Sequence, residues 1–231
     1  MAFEIYDSTR HHTQPVLGVL FDMDGLVLDT EKLYARFWRE AAHSLGFPMT
    51  WEQALGMRSL NQAAGQEQLN RYFGPGASYT EFRARRIEGM DAYIALHGVE
   101  PKPGIVPLLD YLDAHHIPAA ITSSSPMDRI RAYLEPLGLY HRFAKICSGY
   151  EVPRGKPAPD IYLHGAAQLG LSPENCLALE DSPAGILSAH RAGCLPVIVP
   201  DLDQPDEATK PLLYAKADSL ADIPALLESR K

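Results

Sequence analysis

The stretch Val16-Leu17-Gly18-Val19-Leu20-Phe21-Asp22-Met23-Asp24-Gly25 decides the fold. Its first six residues are a short apolar run, which predicts a buried strand of a parallel sheet. The run ends at Asp22, and Asp24 follows two residues later. Because strand side chains repeat every two residues, both carboxylates can project toward one site. Gly25 then permits a sharp turn of the backbone.

Two carboxylates this close can take different catalytic roles, one of Asp22 and Asp24 as nucleophile and the other as general acid–base. Two other interpretations stay open for these residues taken alone. The first is a solvated acidic turn. The second is a calcium-binding loop, although the sixth position and the terminal glutamate of that pattern are missing here.

Outward from this stretch, the chain changes character near residues 30 and 100. Between about 31 and 97 the apolar spacing is helical, and breakers at Gly46–Pro48 and Gly74–Gly76 separate the helices. From Pro101 onward helices and short strands alternate, which predicts an α/β fold with a doubly wound parallel sheet, Rossmann-like, and helices on both faces. We therefore predict a catalytic core over 15–30 and 100–231, an inserted all-helical cap domain over 31–99, and a partly mobile N-terminal extension over 1–14.

Acidic residues also follow a second predicted strand of the core. Glu180 and Asp181 close the apolar run Cys176–Leu179. Adjacent carboxylates need a cation to compensate them. Together with Asp22 and Asp24 they form an oxygen-only cluster that suits Mg²⁺. Taken alone, Asp181 or Ser182 also fits a helix cap.

Hydroxyl groups and one lysine also follow predicted strands of the core. Ser123 and Ser124 lie in the hydroxyl-rich stretch Thr122–Pro126 between a predicted strand and a helix, where free N–H groups bind phosphate well. An ordinary N-cap is the alternative interpretation. Lys156, fixed between Gly155 and Pro157, is a candidate for a structural cation near the site. Ligands of such sheets bind at the carboxyl ends of the strands, and each of these segments follows one.

Composition excludes several classes of protein. The 231 residues carry 29 acidic and 21 basic side chains, a net charge of −8, which argues against nucleic acid as a partner. No apolar run approaches the roughly 20 residues of a membrane span, so we expect no membrane partner and a cytoplasmic location. The three cysteines, Cys147, Cys176 and Cys194, match no zinc spacing, and we expect reduced, mostly buried thiols. We also expect a monomer.

The motifs together resemble those of the haloacid dehalogenase-like superfamily of aspartyl-nucleophile phosphotransferases. The resemblance covers about residues 15–200. Its four motifs stand in order along the chain as Phe21-Asp22-Met23-Asp24-Gly25, Thr122/Ser123, Lys156 and Glu180-Asp181-Ser182. More narrowly, the chain resembles the branch with a helical cap, which includes sugar-phosphate phosphatases, pseudouridine-5′-phosphatase and β-phosphoglucomutase.

The resemblance implies a Mg²⁺-dependent phosphatase of a small phosphorylated metabolite, a sugar or nucleoside phosphate. Asp22 would attack phosphorus and form an aspartyl-phosphate, and Asp24 would act as the acid–base. The Asp22 and Asp181 carboxylates and the Asp24 carbonyl would hold Mg²⁺, with Glu180 bound directly or through water. The phosphoryl oxygens would be held by Ser123, Ser124 and Lys156.

Two rival functions follow from the same resemblance. The first is a β-phosphoglucomutase-like mutase. That enzyme carries a cap histidine where this chain has Tyr34, and its cap lysine aligns roughly with Gly89, so both departures disfavour the mutase. The second, a non-catalytic phosphate-binding regulator, predicts a broken motif, and none is broken.

The predicted cap offers one candidate for substrate recognition. Arg58 lies in Gly56-Met57-Arg58-Ser59, which resembles a substrate-contacting cap loop. An arginine there can clamp an anionic group, although a surface arginine is an equal alternative. The sequence also predicts a solvated helix face for Arg83, Arg85 and Arg86, and cap-core positions for Trp38 and Trp51.

Overall fold

The structure is a computed structural model that describes residues 3–11, 13–58, 60, 62–201 and 204–230. Within these residues the chain separates into two compact units. The first, here the sheet unit, is drawn from Met1–Leu28 and Pro101–Lys231. The second, the helical unit, is Asp29–Glu100.

The sheet unit contains, within the described residues, a seven-stranded sheet in the order β1-β7-β6-β5-β2-β3-β4. The strands are β1 (Phe3–Ile5), β2 (Gly18–Phe21), β3 (Ala119–Ser123), β4 (Lys145–Ser148), β5 (Cys176–Glu180), β6 (Leu195–Ile198) and β7 (Ala215–Ala217). All neighbouring pairs are parallel except the β1–β7 pair. The predicted doubly wound α/β class is therefore confirmed, with one antiparallel edge strand added.

The central strands are apolar because helices cover the sheet. Every residue of β2, β3, β5 and β6 is buried. The helices of this unit are α1 (Ser8–His11), α6 (Ile105–Ala114), α7 (Met127–Leu134), α8 (Asp160–Gln168), α9 (Pro183–Ala192) and α10 (Ile223–Glu228). In one core cluster Leu20 and Ala178 of the sheet pack with Tyr162 of α8 and Ala189 of α9.

The N-terminal residues differ from the prediction of a separate, partly mobile extension. β1 pairs with β7, with Phe3 opposite Ala217 and Ile5 opposite Ala215. Beyond it, the Arg10 guanidinium donates hydrogen bonds to the carbonyls of Gly193 and Cys194, at 2.8 and 3.1 Å. These contacts build residues 3–11 into the sheet unit.

The helical unit packs α2 (Glu31–Ser44), α3 (Trp51–Leu55), α4 (Gln62–Phe73) and α5 (Tyr79–His97) around a core of its own. Trp38 is buried and its ring lies 5.4 Å from that of Tyr79, as expected for a core residue. Trp51 is 39% exposed, so the predicted core position of Trp51 is wrong. Trp51 is the first residue of α3, where a side chain can remain outside the core.

Within the described residues, every helix is too short or too polar to cross a bilayer.

Candidate active site

The candidate active site begins where β2 and β5 end side by side. Phe21 lies opposite Leu179 in the parallel register, and the Asp22 N–H donates to the Leu179 carbonyl at 3.0 Å. This pairing places Asp22 next to Glu180, the last residue of β5. Two apolar strands therefore deliver two carboxylates to the same edge of the sheet.

A tight loop follows Asp22 and positions Asp24. The N–H groups of Val27 and Leu28 both donate to the Met23 carbonyl at 3.0 Å. Gly25 has a φ of 85°, a left-handed conformation that favours glycine. At the start of this loop Asp24 is only partly buried, and the Ser125 hydroxyl donates to its Oδ2 at 3.2 Å.

Lys156 forms the electrostatic centre of the site. Its Nζ lies 2.5 Å from Asp22 Oδ1 and 2.6 Å from Glu180 Oε1. Burial raises the pKa of Asp22, whereas the neighbouring ammonium of Lys156 favours its ionised form and opposes the rise. Burial lowers the pKa of Lys156, but the carboxylates of Asp22 and Glu180 together raise it above its usual range. The buried lysine is thus held as a cation between two carboxylates.

Glu180 is fully buried, and both of its oxygens accept hydrogen bonds. Oε1 accepts from Lys156 and from the Tyr162 hydroxyl, each at 2.6 Å. Oε2 accepts from the Ser182 hydroxyl at 3.0 Å and the Ser182 N–H at 3.3 Å. Gly185 leaves room for this carboxylate, because a Cβ at that position would lie 1.8 Å from Oε1. The geometry makes Glu180 a residue that positions Lys156.

Three of the acidic residues form a cluster that could hold a metal ion. Asp22, Glu180 and Asp181 each offer a carboxylate oxygen, and these three oxygens lie within 4.8 Å of one another. Oxygen ligands of this kind are those that Mg²⁺ prefers. The sequence-predicted carboxylates Asp22, Glu180 and Asp181 therefore do lie together.

The hydroxyl-rich stretch Thr122–Pro126 begins in the last two residues of β3, at the same edge of the sheet. Ser123 is buried, and its Oγ accepts from the Ser125 N–H at 3.1 Å. Ser124 is exposed. Thr122 is buried, and its hydroxyl donates to the Phe21 carbonyl at 3.2 Å. Thr122 and Ser123 are thus the last two residues of β3, and Ser124 lies in the bend that follows.

Arg58 lies in the helical unit and is engaged there. Its Nη1 lies 2.8 Å from Glu31 Oε2, and both side chains are 9% exposed. Its Nε donates to the Leu55 carbonyl at 2.9 Å. The neighbouring Ser59 of the predicted loop lies outside the described residues.

Two residues of the site were assigned no role by the sequence. Tyr162 looks like a core residue of α8, yet it donates to Glu180, and Lys156 Nζ lies 5.1 Å from its ring centroid. Ser125 belongs to the hydroxyl-rich stretch, but its contact with Asp24 joins residues 101 positions apart in the sequence. Only the packing of α8 and β3 beside β2 reveals these contacts.

The site agrees with a match to known proteins. The family model described as haloacid dehalogenase-like hydrolase matches residues 16–193, which include every core motif above. The chain belongs to the haloacid dehalogenase-like hydrolases. The resemblance inferred from the four motifs is thereby confirmed.

Individual relatives cover most of the chain. It is 36% identical over 179 residues to hexitol phosphatase A of Escherichia coli, covering 77% of this chain and 80% of the relative. It is 33% identical over 219 residues to a Drosophila melanogaster protein named as a probable pseudouridine-5′-phosphatase, covering 90% and 91%. A solved HAD family hydrolase from Deinococcus radiodurans, with bound phosphate and sodium, is 28% identical with a TM-score of 0.74, covering 93% and 96%.

These comparisons establish the class of enzyme. The protein is a phosphoric monoester hydrolase of the haloacid dehalogenase-like type, in a family that includes phosphatases and phosphomutases.

Proposed function

We propose that the protein is a Mg²⁺-dependent phosphatase that hydrolyses a small sugar or nucleoside phosphate through an aspartyl-phosphate on Asp22. The observation that carries the proposal is the buried Lys156 ammonium, 2.5 Å from Asp22 and 2.6 Å from Glu180. A nucleophilic carboxylate that attacks an anionic phosphate needs such a fixed cation beside it.

The residues present fit Mg²⁺. The carboxylates of Asp22 and Asp181 and the backbone carbonyl of Asp24 would hold the ion. Glu180 already accepts hydrogen bonds at both oxygens, so we assign it the support of Lys156 and contact with the ion through water. When bound, Mg²⁺ would neutralise phosphoryl charge and favour the ionised form of Asp22.

Hydrolysis would run in two steps on this chain's own residues. In the first, a carboxylate oxygen of Asp22 bonds to phosphorus, the ester P–O bond breaks, and Asp24 donates a proton to the leaving alcohol oxygen. In the second, Asp24 accepts a proton from water as the water oxygen bonds to the phosphorus of the aspartyl-phosphate. The bond between phosphorus and the Asp22 oxygen breaks, which releases phosphate and regenerates the Asp22 carboxylate. The Ser125 hydroxyl orients Asp24 for both proton transfers.

Binding of the phosphoryl group would fall to Ser123, Ser124 and Lys156. Ser124 is exposed and precedes α7, so its hydroxyl and nearby N–H groups can meet phosphoryl oxygens. Arg58 would recognise the rest of the substrate, held in its orientation by Glu31. The sugar or nucleoside class is supported by the names of the relatives hexitol phosphatase A and the pseudouridine-5′-phosphatase.

The test is phosphate release from a panel of sugar and nucleoside monophosphates with Mg²⁺. We compare the wild type with Asp22→Asn, and use Asp128→Asn as the matched control because Asp128 is an exposed carboxylate of the same unit. Wild type and control should release phosphate, and Asp22→Asn should lose at least a thousandfold, on the order of the effect of removing a nucleophile. Chelation by EDTA should also abolish release.

Three results would contradict the proposal. Equal rates for wild type and Asp22→Asn would exclude Asp22 as the nucleophile. Full activity in EDTA would exclude the metal. Interconversion of positional isomers without net phosphate release would identify a mutase, which the tyrosine at position 34 disfavours.

A further inference from the structure

Tyr162 is a fully buried residue of α8 whose hydroxyl reaches the candidate active site. It lies on the buried face of the helix, which also carries Gly165. Gly165 lets this face come close to the sheet, because a Cβ at that position would lie 2.6 Å from Thr122 Cγ2. With the helix this close, the Tyr162 hydroxyl donates to Glu180 Oε1 at 2.6 Å.

The packing of α8 on the sheet does not require this hydroxyl. Tyr162 belongs to a core cluster with apolar residues of the strands, among them Leu20, Ala120 and Ala178. A phenylalanine would bury the same ring in this cluster without a polar group, and a buried hydroxyl costs free energy unless it is hydrogen-bonded. The hydroxyl of Tyr162 therefore serves its contact with Glu180 rather than the core.

The same tyrosine also contacts the Lys156 ammonium. Lys156 Nζ lies over its ring, 5.1 Å from the centroid, which is within the range of a cation–π contact. An ammonium has three N–H donors. Two of them go to Asp22 Oδ1 and Glu180 Oε1, at 2.5 and 2.6 Å, and the third has no hydrogen-bond partner among the residues that the structure describes. Because the three N–H bonds keep fixed angles to one another, holding two of them sets the direction of the third.

We propose that Tyr162 is a positioning residue for phosphoryl transfer, which holds Glu180 Oε1 in place and thereby directs the third N–H of Lys156 toward the phosphoryl group. The inference rests on the proposed function, in which Lys156 binds phosphoryl oxygens. Glu180 Oε1 accepts from both Tyr162 and Lys156, so a shift of this oxygen moves the ammonium with it. A catalytic group misplaced by about 1 Å can lower a rate by about a hundredfold.

The test compares Tyr162→Phe, which removes one hydroxyl and keeps the ring beside the ammonium, with Tyr214→Phe. Tyr214 is the matched control, because it is also buried in the sheet unit and its hydroxyl lies 2.5 Å from His11 Nδ1. It precedes β7, whereas the candidate active site lies where β2 and β5 end. For the wild type and both variants we measure kcat and KM with Mg²⁺ and the best substrate of the phosphomonoester panel, and also Tm. We also record the NMR signal of the Lys156 ammonium in protein labelled with ¹⁵N-lysine, identified by its absence from Lys156→Met.

Both variants should lower Tm by about 2–10 °C, since each loses a buried hydrogen bond. Only Tyr162→Phe should lower kcat, by about tenfold to a hundredfold, as expected for loss of a hydrogen bond to a charged group. Its KM should stay within about threefold of the wild type, because the other contacts that bind the substrate remain. The Lys156 signal should shift in Tyr162→Phe and keep its wild-type position in Tyr214→Phe.

An unchanged kcat in Tyr162→Phe, or an equal fall of kcat in both variants, would leave the hydroxyl with a structural role only and overturn the inference. A lower kcat with an unshifted Lys156 signal would also overturn it, because the hydroxyl would then not act through Lys156. In the wild type alone, a Lys156 signal that exchanges with water as fast as that of the exposed Lys32 would contradict a fixed ammonium. If the wild type hydrolysed no ester of the panel, the proposed function would fail by itself. The NMR comparison would then decide whether Tyr162 positions Lys156, and an unshifted signal in Tyr162→Phe would refute it.

Discussion

Replacing Gly185 by alanine tests the logic of the buried carboxylate. Gly185 lies inside α9, where alanine is ordinarily favoured over glycine by about 1 kcal/mol. Propensity alone therefore predicts a more stable protein. The structure predicts the reverse, because the new Cβ would lie 1.8 Å from Glu180 Oε1 and 1.9 Å from its Cδ.

The expected loss of stability follows from the contacts that the Glu180 carboxylate would lose when the new Cβ displaces it. Overpacking of a tight interior costs about 1–3 kcal/mol. A displaced hydrogen bond to a buried carboxylate costs about 1.5–3 kcal/mol more. After the gain in helix propensity, Gly185→Ala should lower the free energy of unfolding by about 1.5–5 kcal/mol, or Tm by about 3–20 °C. Because Glu180 holds Lys156, kcat should also fall by about a hundredfold.

The assay is thermal unfolding together with phosphate release well below the midpoint, where the variant is folded. Gly155→Ala is the control, since it neighbours Lys156 and its Cβ would meet no heavy atom within 4 Å. That variant should stay within about 0.5 kcal/mol of the wild type. If Gly185→Ala were as stable and as active as the wild type, the steric role assigned to Gly185 would be wrong.

Two further predictions concern parts of the sheet unit away from this glycine. Lys102 Nζ lies 2.6 Å from Asp201 Oδ1, and Asp201 Oδ2 is buried without a hydrogen-bond partner among the described residues. Lys102→Met should therefore lower the free energy of unfolding, measured in denaturant, by about 2–4 kcal/mol. Adding Asp201→Asn should restore part of the stability lost in Lys102→Met, and absence of this rescue would refute an uncompensated carboxylate as the cause. The control Arg85→Met breaks the exposed pair with Glu88 and should change stability by under about 0.5 kcal/mol. Burial raises the pKa of the Cys147 and Cys176 thiols to about 11 and that of Cys194 further, so a disulfide reagent at pH 8 should titrate no thiol in the folded enzyme and three after unfolding. Rapid titration of a thiol in the native protein would contradict their burial.

Local signals in the sequence were sufficient for the central sheet. The strands β2, β3 and β5 are mainly apolar runs that end at or just before polar residues, and β6 is an apolar run. Their alternation with helices predicts that they are parallel. The edge strands β1 and β7 escaped prediction because each has three residues, too few for a period to be read. Their pairing joins residues more than 200 positions apart, which no local pattern encodes.

In the candidate site, too, some residues were predictable from local sequence and others were not. Asp22, Lys156, Glu180 and Asp181 were predictable because each stands at or after a strand end that the topology brings to one edge. The contacts of Tyr162 and Ser125 were not, because both depend on how neighbouring elements pack. Arg86 on α5 is 6% exposed, so the predicted solvated helix face is wrong for this residue. The sequence carries a signal for its burial, because Arg86 stands in the four-residue spacing from Phe82 to Met90, where an apolar residue is usual.

The distribution of charge limits how an anionic substrate can bind. Residues 29–100 carry eight basic and nine acidic side chains, a net of −1, and the remaining residues carry 13 and 20, a net of −7. At the edge of the sheet, the carboxylates of Asp22, Glu180 and Asp181 cluster, and the Lys156 ammonium contacts the first two of them. This edge therefore carries excess negative charge and repels a phosphate dianion unless another cation is present. Phosphate affinity should consequently depend on Mg²⁺.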